Sequence, residues 1–88
     1  MSQREMNMED LLNQSLRISV IKKNIFDISV EGLKREGFRK IRVSVLKEII
    51  NSISLDRFRE LLTLSKNKEK YSEKLKEIVK YVTKQYLS

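Results

Sequence analysis

The chain has 88 residues, a formal net charge of +7, and no cysteine, histidine, proline, tryptophan or alanine. One domain at most fits this length, and so short a chain must gather its burial from large side chains, here Ile, Leu, Val, three Phe and three Tyr. Without cysteine there is no disulfide framework and no thiolate metal site, and without histidine the commonest general base is missing; no cofactor is expected, and enzymatic function is not expected.

The first ten residues, Met1 to Asp10, are polar and acidic and contain no apolar run of the signal-peptide kind. No stretch is long enough to span a bilayer, so an intracellular location is expected. Residues 6–16 predict a short amphipathic helix. Met8, Leu11, Leu12 and Leu16 recur at helical spacing, and Glu9 and Asp10 suit the positive end of a helix dipole.

Downstream, three triplets alternate apolar–Ser–apolar: Ile18-Ser19-Val20, Ile28-Ser29-Val30 and Val43-Ser44-Val45. Their β-branched residues and period of two favour strands. Both glycines lie in the charged segment Glu31–Gly37, between Phe26–Val30 and Phe38–Val45, a pattern that predicts a β-hairpin. The competing reading is helical. Leu11, Ile18, Ile21, Ile25 and Ile28 also fall near one helix face, and Gly37 is well placed to end such a helix.

Ile41, Val45, Ile49 and Ile53 lie four apart, and a helix is predicted from about Ser44 to Asn51. Ser54 reads as the N-cap of the next helix, with Asp56 in its first turn and Leu55, Phe58, Leu61 and Leu62 inward. Residues 65–70 are wholly polar and interrupt the pattern. The last helix is predicted over roughly 69–86, with Tyr71, Leu75, Ile78, Val82 and Tyr86 inward. The expected architecture is thus an α+β single domain over residues 1–88, a short N-terminal helix and small β-hairpin packed against three C-terminal helices. An all-α helical bundle is the alternative.

The charge is uneven. Residues 1–16 sum to −2, 17–47 to +6, 48–65 to −1 and 66–88 to +4. Two basic blocks of this kind favour a polyanionic partner, although a solvated lysine-rich surface gives the same composition. The candidate site is Lys34, Arg35, Arg39, Lys40, Arg42 and Lys47. On a strand over 38–43, Lys40 and Arg42 share the outward face and follow a phosphate backbone, with Phe26 or Phe38 as a stacking ring unless both belong to the core. A second candidate is the lysine ridge of the last helix, above all Lys76, Lys80 and Lys84; the alternative for it is a solvated face with Glu73–Lys76 and Glu77–Lys80 pairs.

Other motifs are weaker. Gly32 and Gly37 have the spacing of a phosphate loop, but Phe38 and Arg39 stand where it needs Lys and then Ser or Thr. Asp27, Glu31, Glu36, Glu48, Asp56 and Glu60 mostly neighbour Lys or Arg and read as surface ion-pair partners rather than metal ligands. Residues 44–65 also admit a helix-turn-helix, though its second helix carries Arg57 and Arg59 against Asp56 and Glu60 and has no excess charge.

Ile28–Val30, the charged loop, Ile41–Lys47 and Ile53-Ser54-Leu55 followed by Phe58 and Leu61 resemble the single-stranded-DNA-binding transcriptional coactivators of the positive-cofactor type. That resemblance implies a curved β-meander leading into a helix. The sequence departs from it at Ile49–Ile53, which reads as helix, and in its additional C-terminal helix. The expected function is non-catalytic binding of nucleic acid through its phosphates. The alternative is an accessory or adaptor subunit that docks on a larger protein complex, such as a component of replication or transcription machinery. A homodimer is compatible with either.

Overall fold

The computed structural model describes residues 8–88. Four helices follow in order: α1 (Met8–Arg35), α2 (Val43–Asn51), α3 (Leu55–Thr63) and α4 (Lys68–Leu87). Helix accounts for 81% of the described residues, and no strand occurs among them. The expected α+β architecture with its β-hairpin is therefore corrected to the all-helical alternative.

The correction has a physical cause. Each β-branched residue costs a helix only a few tenths of a kcal/mol. Against that, Ile18, Ile21, Ile25, Ser29 and Leu33 recur every three or four residues and are all buried. One continuous helix turns this whole stripe toward the core, which no strand register does. The apolar–Ser–apolar triplets misled because three residues are too few to separate the two periods. In Ile28-Ser29-Val30 the serine is the fully buried member and Ile28 is exposed, the reverse of a half-buried strand. The short helix expected over 6–16 is the start of α1, its first two residues lying outside the described ones.

Gly37 ends α1 instead of turning a hairpin. It adopts a φ of 101°, a region that a Cβ disfavours. Its N–H donates to the Lys34 carbonyl at 3.0 Å, and the Phe38 N–H donates to the Leu33 carbonyl at 3.1 Å. These two bonds form a Schellman motif, which satisfies carbonyls that the helix end leaves free.

The later boundaries lie close to those expected. Ser52 Oγ donates to the Ile49 carbonyl at 2.7 Å as α2 ends, and Ser54 occupies the extended N-cap position of α3 without a side-chain cap bond. At α4 it is Asn67 that caps, its Oδ1 accepting from the Lys70 N–H at 3.1 Å.

Contacts between helices set their directions. Lys47 of α2 lies over Phe26 of α1, and Asn51 accepts from Lys22, so α2 runs antiparallel to α1. α3 continues that course: Phe58 lies beneath Lys22, while Leu62 and Thr63 face Asn13 and Arg17 across a shallow depression. α4 returns parallel to α1, with Tyr71 near Val20 and Val79 near Ile28. The result is a three-column bundle whose middle column is broken at Ser52–Ser54. α2 and α3 lie end to end and do not pack on each other, unlike the helices of a helix-turn-helix, so that reading is also corrected. Nor does the β-meander implied by the coactivator resemblance exist, since Ile28–Val30 is helical and residues 43–47 belong to α2.

The core joins Ile18, Ile21 and Ile25 to Leu46, Ile50, Ile53, Phe58, Leu61, Ile78 and Val82. The bundle measures 55 × 28 × 18 Å, and its radius of gyration of 15.0 Å exceeds the value of about 12 Å for a compact chain of this length. α1 is the reason, since 28 residues of helix span about 42 Å. No described helix is long and apolar enough to cross a membrane.

Two predictions follow from the packing. Ser29 Oγ is buried without a hydrogen-bond partner among the described residues. Ser29→Ala removes that desolvated hydroxyl and improves helix propensity, so thermal or urea unfolding should show a gain of about 0.5–1.5 kcal/mol. Gly37→Ala forces a Cβ into the left-handed region and should cost about 1 kcal/mol by the same measurement.

Candidate nucleic-acid interface

The basic residues expected to form a strand face and an adjoining charged loop are distributed over three structural settings. Lys34 and Arg35 form the last turn of α1. Arg39 and Lys40 stand in the 36–42 connection, and Arg42 is the N-cap residue of α2. All five are exposed. Lys40 and Arg42 therefore share a loop rather than the outward side of a strand.

The loop is held from two sides. At its start the Schellman bonds tie Phe38 to the end of α1. At its finish the Arg42 N–H donates to Tyr86 Oη of α4 at 2.9 Å. The Tyr86 ring also meets Phe38 edge-on, with centroids 6.4 Å apart and planes at 82°. Such aromatic pairs contribute about 0.5–1.5 kcal/mol beyond their buried area. Phe38 remains 37% exposed, so one part of its ring packs while another meets solvent. Phe26, the other ring considered for stacking, is half-buried against the core and lies under Lys47.

Tyr86 brings the last turn of α4 to this same end of the bundle, and Lys84 with it. Lys76, Lys80 and Lys84, each one turn further on, form an exposed ridge leading to that end. Lys76 and Lys80 border a depression of about 340 Å³ whose floor includes Ile28, Leu75 and Val79. The pairs expected for Lys76 and Lys80 are replaced by another arrangement: Glu77 lies 3.9 Å from Lys74, which also lies 3.6 Å from Glu60.

Lys47 does not join this end. It sits midway along α2, its Nζ 5.9 Å from the Phe26 centroid. There it borders a groove of about 410 Å³ between α1 and α2 with Lys22 and Lys23, two cations the sequence reading did not single out. Their spacing from Lys47 along the chain gave no sign of proximity; only the antiparallel packing of α2 supplies it.

Carboxylates near the basic end are few. Glu31 accepts from Arg35 at 3.5 Å, an exposed pair of the kind that contributes a few tenths of a kcal/mol. Glu36 follows in the connection, exposed. The first turn of α2 holds no acidic residue, and its N-cap side chain makes no capping bond. The positive end of that helix dipole thus adds to the field of Arg39, Lys40 and Arg42. Lys34, Arg35 and Lys84 partly offset the negative dipole ends of α1 and α4.

Of the other carboxylates expected to pair on the surface, Glu48 makes no ion pair among the described residues, while two further acids do. Asp27 pairs with Lys23 at 3.1 Å and Asp56 with Arg59 at 3.6 Å. Among the described residues no group of three potential metal-ligating side chains comes together. What the basic end offers chemically is an array of exposed N–H donors and positive charge beside one partly exposed ring. No protein-family model, curated protein or solved structure gives a match to this chain.

Proposed function

We propose that this protein is a non-catalytic nucleic-acid-binding protein that contacts phosphates through the end of the bundle where α1 finishes, α2 begins and α4 closes. The observation that carries the reading is the convergence there of Lys34, Arg35, Arg39, Lys40, Arg42 and Lys84, all exposed, from three separate parts of the chain. Two nearly parallel helix ends and a tethered loop hold these charges in a defined arrangement. Pre-positioning of this kind lowers the ordering cost of binding. The ridge of Lys80 and Lys76 extends the positive surface along α4, so a strand lying over the end has further phosphate contacts along one side. The exposed part of the Phe38 ring offers a face to an unpaired base.

The competing reading is an accessory subunit docked on a larger protein. What favours it is the exposed apolar surface on the N-terminal half of α1, at the other extreme of the molecule from the basic end.

The two readings separate in a titration of labelled single- and double-stranded DNA and RNA at low and moderate salt. Binding should weaken steeply as salt rises. The Arg39→Ala/Lys40→Ala/Arg42→Ala variant leaves the Arg42 backbone N–H in place, so the Tyr86 tether survives. It should reduce the slope of log K against log salt by about 2.7 if all three side chains contact duplex phosphates. Absence of binding to every nucleic acid at low salt defeats the proposal, and an unchanged slope in the variant moves the contact away from this end.

A further inference from the structure

The N-terminal half of α1 carries two apolar faces. Ile18, Ile21 and Ile25 turn into the bundle. Leu12, Leu16 and Val20 lie on a different side, each four residues from the next, and are 58%, 63% and 59% exposed. Met8, one turn earlier, is 73% exposed, and Leu11 beside it is 47% exposed. The stripe from Met8 to Val20 is about 18 Å long. The outer side of the C-terminal half differs sharply: Lys23, Asn24, Asp27, Glu31 and Lys34 are polar and exposed there. A helix that only needed solubility would carry the same polar pattern at both ends. Contiguous exposed apolar surface of this kind marks an interaction site.

We propose that this stripe is the interface of a homodimer in which the α1 helices of two copies pack antiparallel. Its spacing is self-complementary. A two-fold axis near position 14 sets Leu12 opposite Leu16 of the second copy and Met8 opposite Val20. Each contact is thereby made twice, as an isologous interface requires. The charges select the antiparallel direction. The first turn of α1 holds Glu9 and Asp10, while the exposed Arg17 and Lys23 follow further along. Antiparallel packing brings the acidic start of one helix toward the basic stretch of the other, whereas parallel packing sets like charge against like. Two such stripes make a small interface, and the dimer belongs to the reversible, concentration-dependent class.

The arrangement has a consequence for the whole assembly. With the axis near position 14, the two α1 C-termini point away from each other and lie about 63 Å apart. The basic ends then face opposite directions. Should they bind nucleic acid as proposed above, one dimer engages two separate segments. The dimer itself does not depend on that reading.

Sedimentation equilibrium from micromolar to millimolar chain, without nucleic acid, tests it. The wild type should pass from monomer to dimer mass. Leu12→Glu/Leu16→Glu should remain monomeric with an unchanged helical circular dichroism spectrum, because both residues are exposed in the monomer. The direction is tested by cross-linking in this cysteine-free chain. Under oxidation, a mixture of Leu12→Cys and Leu16→Cys chains should form mixed disulfides, while either alone should not, since like positions are offset by about 6 Å along the helices. A wild type that stays monomeric throughout overturns the proposal. So does a Leu12→Glu/Leu16→Glu variant that dimerises like the wild type, or efficient cross-linking of either cysteine variant alone. Monomers that use Leu12 and Leu16 to bind phosphatidylcholine vesicles assign the stripe to a lipid surface and equally overturn it.

Discussion

Ile18, Ile21, Ile25, Ser29 and Leu33 form one buried stripe along α1, and the other three helices are arranged around it. α2 and α3 cover it in succession and α4 closes the remaining side. A single long helix with one apolar face has little stability in water by itself, because most helical stability in a protein comes from packing that face. Here the covering elements are as dependent on α1 as α1 is on them. α2 and α3 have nine residues each, well short of the length at which an isolated helix holds together in water. Ile53, buried in the break between them, keeps the apolar surface continuous where the helical bonding stops.

The same packing fixes the basic loop. Leu33 is the last buried residue of α1, and its carbonyl accepts the bond that places Phe38. Phe38 meets the ring of Tyr86, and the Tyr86 hydroxyl holds the N–H of Arg42. Core, helix cap, aromatic pair and N-cap therefore form a connected series. Arg39 and Lys40 sit in the middle of it, their side chains left to solvent while the backbone on either side is held. A loop tied at both ends in this way presents charge at a defined place without burying any of it.

The largest run of exposed apolar residues on α1 and the cluster of cations around the 36–42 connection lie toward opposite ends of an elongated molecule. The N-terminal half of α1 is acidic at its start and apolar along one outer side; the far end gathers cations from α1, the connection to α2 and α4. Such segregation separates two kinds of contact. A polyanion at the basic end need not compete with a hydrophobic contact at the other.

The sequence by itself determined the C-terminal helices closely. The polar interval at 65–70 breaks the apolar pattern, the stripe Tyr71, Leu75, Ile78, Val82 and Tyr86 resumes it at helical spacing, and Lys68–Leu87 is the helix observed. It also located the charge, because net charge along a chain does not depend on fold. It left α1 ambiguous. Short apolar–Ser–apolar runs satisfy a period of two, the longer run from Ile18 to Leu33 satisfies 3.6, and glycine serves either a hairpin or a helix end. Tertiary burial decided between them, since only the helix places Ser29 and Leu33 on the same face as Ile25. For the same reason the site was only partly legible. Residues 34–42 are neighbours in sequence and stay neighbours in space, but Lys84 joins them and Lys47 leaves them through the direction in which α4 and α2 pack. Tyr86 read as one more inward aromatic, and its bond to Arg42 spans 44 positions. Local pattern determines which residues can be helical or charged; which of them meet is set by the packing of one helix on another.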